Sequence, residues 1–209
     1  MIQSTLPTWG RLTMLAVLAL GLSSLSDLGA IAAPEAQLGQ PVAALNQAML
    51  TVNDMNILRQ AEIPIALPTY IPEGFQVDYV EAFAPNPSGP GDGHGYLITY
   101  RQPQLSGTEA ACFEIEASTG GFGGPVPERS QAINPPTFVQ DASPPSYQIF
   151  WTETGDPDGP FPEPILFSDW IEGDGAFYRL SSRMTMRRYC NLLRPETARQ
   201  ILESFRYVD

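Results

Sequence analysis

Ile63-Pro64-Ile65-Ala66-Leu67-Pro68-Thr69-Tyr70-Ile71-Pro72-Glu73-Gly74-Phe75 is the stretch whose reading decides the fold. Its apolar residues Ile63, Ile65 and Leu67 are punctuated by Pro64, Pro68 and Pro72, and it passes directly into strand-like alternation. The residues before it read as an export signal and an approach. The residues after it read as one sheet-rich domain. The expected boundaries are residues 1–32 for a signal peptide, 33–62 for a partly helical lead-in, and 63–209 for a single α+β domain.

Downstream of this stretch the apolar period is two, the period of a half-buried strand. Phe75, Val77, Tyr79 and Phe83 fall on one face, with Glu81 as the exception. Tyr96, Ile98 and Tyr100 fall together, as do Phe113, Ile115 and Ala117, and again Tyr147, Ile149 and Trp151. Segments 165–171 and 176–182 flank Glu172-Gly173-Asp174-Gly175, whose residues tolerate the positive φ of a tight turn. About six strands are therefore expected. No helical pattern separates them, so a curved, largely antiparallel sheet is expected. Segments 84–95, 118–145 and 154–164 are dense in Gly and Pro and read as long irregular connections. At the C-terminal end, Ala198, Ile201, Leu202 and Phe205 follow a helical stripe after Pro195 and Glu196, giving a closing helix packed on one face of the sheet.

Upstream, Arg11 precedes an apolar run from Leu12 to Leu22 and then Ala30-Ile31-Ala32-Ala33. This is the order of a secretory signal, with cleavage expected after Ala32 or Ala33. The apolar core is short for a hydrocarbon layer of ~30 Å. A retained membrane anchor is the alternative. Between the signal and Ile63, the residues Ala44, Leu45, Ala48, Met49, Val52, Met55 and Leu58 approximate a helical stripe, and Pro41 suits a first turn.

The chain has 209 residues, enough for one domain with a sizeable core. Its formal net charge is -12, and removing Arg11 and Asp27 with the signal leaves that value unchanged. Every basic residue is Arg. Lysine-dependent Schiff-base and P-loop chemistry is excluded. The acidic balance argues against nucleic acid and against anionic bilayer surfaces as partners.

Leu67-Pro68-Thr69-Tyr70-Ile71-Pro72-Glu73-Gly74-Phe75, the alternating strands and the terminal T-A-R-Q-I-L-E-S-F together resemble a family of bacterial extracytoplasmic domains of unknown function. Its members also form the outer portions of some anti-sigma factors. The resemblance implies an α+β domain with a curved antiparallel sheet, similar to periplasmic lipoprotein-carrier folds, and brings no catalytic residues. Residues 1–32 read as a signal, not as the cytoplasmic domain of an anti-sigma factor. The all-Arg basic set and Pro-rich loops resemble a cyanobacterial-type envelope protein.

Candidate chemistry is sparse. His94 is the single histidine, so a site with two His ligands is impossible, and its Gly-rich surroundings read as a solvated loop. Asp156-Pro157-Asp158-Gly159 starts like a calcium loop but lacks the later ligands, and reads as a turn. Gly120–Gly124 lacks a Lys and leads into Pro125, so it is not a phosphate loop. Glu114 and Glu116 share one strand face, roughly 6–7 Å apart from the strand rise. That spacing admits two-carboxylate hydrolysis. A solvated sheet face is the reading that alternation favours. Trp151, Trp170, Tyr147, Tyr178 and Phe177 could line a groove for an apolar or carbohydrate ligand, with core packing as the simpler reading.

Cys112 and Cys190 are the two cysteines. An even count in an exported chain predicts a disulfide between them. The composite expectation is an extracytoplasmic, periplasmic or secreted, non-catalytic binding or envelope-associated module. No cofactor and no metal are expected, and no membrane span remains after signal cleavage. Its partner would be an apolar or carbohydrate ligand or an envelope protein. The alternatives are a carboxylate-dependent hydrolase and a structural or assembly protein of the envelope.

Overall fold

The computed structural model describes residues 46–83, 93–103, 110–120, 123–139, 147–182 and 190–208. In chain order the elements are α1 (Val52–Leu58), a 3-10 turn (Arg59–Ala61), β1 (Ile65–Pro68), β2 (Gln76–Phe83), β3 (Gly95–Arg101), β4 (Cys112–Ser118), β5 (Arg129–Ile133), β6 (Tyr147–Trp151), β7 (Leu166–Ser168), β8 (Ile171–Glu172), β9 (Phe177–Ser182), α2 (Pro195–Glu203) and β10 (Phe205–Val208). Eight strands form one sheet in the order β2-β3-β4-β9-β7-β6-β5, with β8 added on β9. β1 and β10 form a separate two-stranded ribbon. The strand pairs are antiparallel, so the α+β class and the antiparallel sheet stand.

The register explains the inner face. Tyr100 lies opposite Phe113; Ile98, Ile115 and Leu180 form one row; Tyr96, Ala117 and Tyr178 form the next. The small Ala117 sits between two tyrosines, which lets the row pack without a void. Phe113 stacks on Tyr100 with ring centroids 4.8 Å apart and meets Phe75 at 5.2 Å. These residues share one core with Met55 and Leu58 of α1, with Ala66 and Leu67 of β1, and with Ala198, Ile201 and Leu202 of α2. The lead-in and both ends of the domain therefore cover the inner face.

Three tyrosines bind that cover through its backbone. The Tyr96 hydroxyl donates to Ala66 O and accepts from Ala66 N–H, each at 3.0 Å. Tyr100 donates to Ala48 O at 3.0 Å and Tyr178 to Pro64 O at 2.8 Å. A buried phenol needs such a partner. Burial pushes all three hydroxyls above the ordinary phenol pKa, so they stay protonated donors.

The two sequence pieces around Leu67–Phe75 and Thr197–Phe205 form one physical unit. Ile65–Pro68 pairs with Phe205–Val208. Beyond the pair, the Thr69 N–H and hydroxyl both donate to Ser204 O, at 3.1 and 3.0 Å. Tyr70 N–H donates to Ser204 Oγ at 3.1 Å, and that hydroxyl donates to Ile201 O at 2.7 Å. The motif thus satisfies the Ser204 carbonyl at the C-cap of α2, which the helix itself leaves open. Gly74, at φ 84°, then turns the chain, with Phe75 N–H donating to Pro72 O at 3.3 Å. That left-handed position favours glycine.

Several sequence expectations change. The six expected strand regions are present, but segment 165–171 divides into β7 and β8, while β1, β5 and β10 were not expected. In β2 a bulge between Val77 and Tyr79 shifts the alternation. Tyr79, Glu81 and Phe83 then share the outer face, and Glu81 is no exception. Phe205 is buried but lies on β10, since α2 ends at Glu203. The lead-in helix is short: a Thr51–Asp54 capping box starts α1, and Met49 and Val52 of the expected stripe are exposed. Pro41, Ala44, Leu45 and the signal segment with Ala32 and Ala33 lie outside the described residues. Among the described residues no helix is long and apolar enough to cross a membrane.

The disulfide between Cys112 and Cys190 is present, with Cα atoms 5.8 Å apart. Asn191 N–H donates to Ala110 O at 2.9 Å, and Cys112 N–H to Asn191 O at 3.3 Å. The bond therefore anchors the approach to α2 on the end of β4.

Candidate functional site

At the centre of the sheet, on β4 and β9, the outer face carries Glu114, Glu116, Arg179 and Ser181 where the inner face carries aromatic and aliphatic side chains. Glu114 lies directly opposite Ser181 in the register, and Glu116 opposite Arg179. Arg179 Nη2 donates to Glu116 Oε2 at 2.5 Å, and the guanidinium lies 4.2 Å from the centroid of the Trp170 ring. Arg179 is only 9% exposed. Cross-strand pairing, ion pair and ring stacking together fix its plane. Its Nε is buried without a hydrogen-bond partner, as is Ser181 Oγ. Glu114 is buried and accepts from the Thr99 hydroxyl at 3.3 Å.

Arg179 lines a cleft of about 670 Å³. One wall is the extended segment Gly123–Val126. The other is Pro160–Glu163, and Ile165 and Phe167–Trp170 complete the lining. The volume falls within the range of small-molecule sites, roughly 300–1,000 Å³. Phe167 stands between Phe150 and Phe161, with centroid distances of 5.7 and 6.4 Å.

The Pro160–Glu163 wall is held by the acidic turn before it. Asp156 Oδ1 accepts from Asp158 N–H at 3.1 Å, Asp156 O accepts from Gly159 N–H at 3.0 Å, and Asp156 N–H donates to Phe161 O at 2.8 Å. This is the self-bonded turn that Asp, Pro and Gly favour. Gly155 fits beneath it because it has no side chain: a Cβ there would lie 2.1 Å from Pro162 O. Elsewhere in the lining, Asp169 Oδ2 accepts from Gln148 N–H at 2.8 Å. Burial raises the Asp169 pKa above its ordinary value, and the Gln148 bond opposes that shift.

The candidates read from sequence fare differently. Glu114 and Glu116 do share a face, but it is not a solvated one. Glu114 is buried, and Glu116 is committed to Arg179. The alternation placed them away from the core and could not show that β9 sets a cation opposite them. The five groove aromatics do not gather. Tyr147, Trp151 and Tyr178 belong to the inner face by register, Phe177 lies opposite Ser118, and Trp170 alone lines the cleft. His94 is a loop residue just before β3, as expected, but it is half-buried rather than solvated; its N–H donates to Thr119 Oγ1 at 3.1 Å. The exchange between His94 and Thr119 is completed by Thr119 N–H to His94 O at 3.0 Å. Asp156–Gly159 is a turn, as expected. Gly123 and Gly124, from the Gly-rich run, line the cleft.

Arg179, Asp169, Phe161 and Phe167 escaped the sequence reading. The one available signal was Arg179 itself, a lone cation within the strand A-F-Y-R-L-S-S, but its meaning depends on a register with Glu116 that spacing does not give. No family model, curated protein or solved structure matches the chain.

Proposed function

We propose that this chain is an extracytoplasmic, non-catalytic binding module whose ligand seats in the cleft between Gly123–Val126 and Pro160–Glu163. The observation that carries the reading is the state of Arg179. A buried ion pair is a weak stabiliser, because desolvation offsets the attraction. Here the pair with Glu116 places a rigid guanidinium in the lining of a cleft that also carries aromatic, proline and aliphatic side chains and Asp169. Such a combination of apolar surface and a few fixed polar groups is the chemistry of a ligand site. The Cys112–Cys190 bond and the Ala30-x-Ala32 signal support an oxidising destination outside the cytoplasm. Periplasmic and secreted locations both fit.

The test is native mass spectrometry of the wild-type chain and of Phe161→Ala, each purified from its own host. A small-molecule adduct on the wild type that is lost from the variant is the expected result. Bare polypeptide mass in both, or an adduct that persists in the variant, would remove the cleft from consideration. The same spectra report the mature N-terminus, expected at Ala33 or Pro34. A chain beginning at Met1 would count against export with cleavage.

A further inference from the structure

We infer that the cleft recognises a neutral saccharide, stacked on its aromatic wall and hydrogen-bonded between Arg179 and Asp169. The inference rests on the cleft being the binding site. Charge narrows the ligand first. Among the described residues the single cation lining the cleft, Arg179, is already paired with Glu116, while Asp169 also lines it. The chain as a whole carries a net charge of -12. Among the described residues a phosphate or carboxylate ligand would meet no uncompensated positive charge, so an anion is disfavoured.

Hydrogen-bonding capacity narrows it further. The guanidinium makes one hydrogen bond among the described residues, from Nη2 to Glu116, and Nη1 makes none there, while Nε is fully shielded and out of a ligand's reach. Asp169 Oδ2 is taken by Gln148 N–H, which leaves Oδ1 without a hydrogen bond among the described residues. The site therefore offers a fixed donor and a fixed acceptor in one cleft. A sugar hydroxyl both donates and accepts, so adjacent hydroxyls can satisfy both groups at once. A proline-rich peptide is the nearest rival for an aromatic-lined groove. Proline has carbonyl acceptors but no N–H, so it would leave Asp169 unsatisfied, at a desolvation cost. The apolar CH face of a pyranose ring is also matched by the aromatic lining, chiefly the half-buried Phe161, since Phe167 is buried and Arg179 covers one face of Trp170, whereas a purely apolar ligand would bury the polar pair without partners.

The experiment uses the mature, oxidised chain on a printed array of neutral and acidic glycans, followed by calorimetric titration of any neutral hit. Decaproline is titrated in parallel. The wild type should bind at least one neutral glycan. Asp169→Asn keeps the shape but exchanges an acceptor-only group for an amide, and should weaken binding roughly tenfold, the effect of one charge-assisted hydrogen bond. Phe161→Ala removes a half-buried aromatic side chain of the lining without removing either partner of the buried ion pair, and should weaken binding in the same direction. Circular dichroism and thermal unfolding of each variant check that the fold persists. Decaproline binding that Phe161→Ala weakens, with no neutral glycan bound, would overturn the saccharide assignment and leave the cleft as the site. Neutral-glycan binding that neither variant changes would overturn the cleft itself. Binding confined to acidic glycans, or to no glycan and no decaproline, would overturn the assignment as well.

Discussion

The two faces of the eight-stranded sheet treat polar groups in opposite ways. On the inner face the Tyr96, Tyr100 and Tyr178 hydroxyls each end on a backbone group of the segment Ala48–Ala66. Their capacity is used within the fold, and they fasten the lead-in and β1 to the sheet. On the outer face Arg179 Nε and Ser181 Oγ are equally shielded and have no partner. A fold can leave such groups unsatisfied only at a cost in stability. The inner face is thus organised for cohesion, while the outer face holds polar capacity beside a cleft. Substitutions on the inner side should change stability, and those on the outer side should change recognition.

The largest effect is expected in the inner cover. Leu202 is fully buried in α2, in the core shared with the sheet. Leu202→Ala should cost about 2–5 kcal/mol in denaturant unfolding, from lost transfer energy and the cavity left behind. A change within error of zero would mean that α2 is not part of the cohesive layer.

The disulfide comes next. Cys112 and Cys190 enclose β4 through β9, with a sequence separation of 78. Cys112→Ser with Cys190→Ser should lower stability by about 2–4 kcal/mol, the range for a bond closing a long loop. Glycan binding should survive, because neither cysteine lines the cleft. Loss of binding at full stability would break the separation between the two faces. Alkylation of the denatured, unreduced wild type should add no label, and prior reduction should add two.

The inner face was far more legible in the sequence than the outer one, for physical reasons. Burial on one side imposes strict alternation, which Tyr96-Ile98-Tyr100 and Phe113-Ile115-Ala117 display openly. β5 was hidden because it is an edge strand: of Arg129–Ile133 only Ile133 is buried, so little alternation is required. β10 was hidden because Phe205 continues the helical stripe of Ala198, Ile201 and Leu202, and only the bonds from Thr69 and Tyr70 to Ser204 show where the helix stops. The cleft was hidden most deeply. Its walls come from Gly- and Pro-rich connections, and its Arg179–Glu116 pair joins residues distant in sequence. Prolines read as missing donors in sequence become rigid walls in space.

A single hydroxyl sharpens the comparison at the next level down. Tyr96→Phe removes a group that both donates to and accepts from Ala66, leaving a buried N–H and C=O short of a partner. The expected loss is about 1–3 kcal/mol with no change in glycan affinity. On the other side, Gly155→Ala forces a methyl into Pro162 O and must displace the Pro160–Glu163 wall. The atoms it meets are all main-chain atoms of Pro162 and Glu163, which cannot swing aside as a side chain would, so the cost should be about 1–3 kcal/mol, the range for overpacking. Binding should fall more than stability. The reverse ranking in calorimetry and unfolding would show the loop to be structural.

The smallest effect is a pH dependence at Asp169. Its folded pKa is raised by burial, with the Gln148 N–H pulling the other way. An acid with a raised folded pKa binds its proton more tightly in the folded state than in the unfolded one. Its contribution to stability is therefore fully present below the unfolded value of 3.8 and is lost as pH rises through the raised folded value. Asp169→Asn cannot ionise and lacks this dependence, and its carbonyl can still accept from Gln148. Measured by urea unfolding at a series of pH values, the stability of the wild type relative to the variant should decline from pH 3.8 upward and then level off. A relative stability that climbs with pH across the same interval would mean that the Gln148 bond outweighs burial and that the carboxylate is held ionised. Asp169 would then be a satisfied structural acceptor, and the outer face would lose one of the two polar groups that set it apart from the inner.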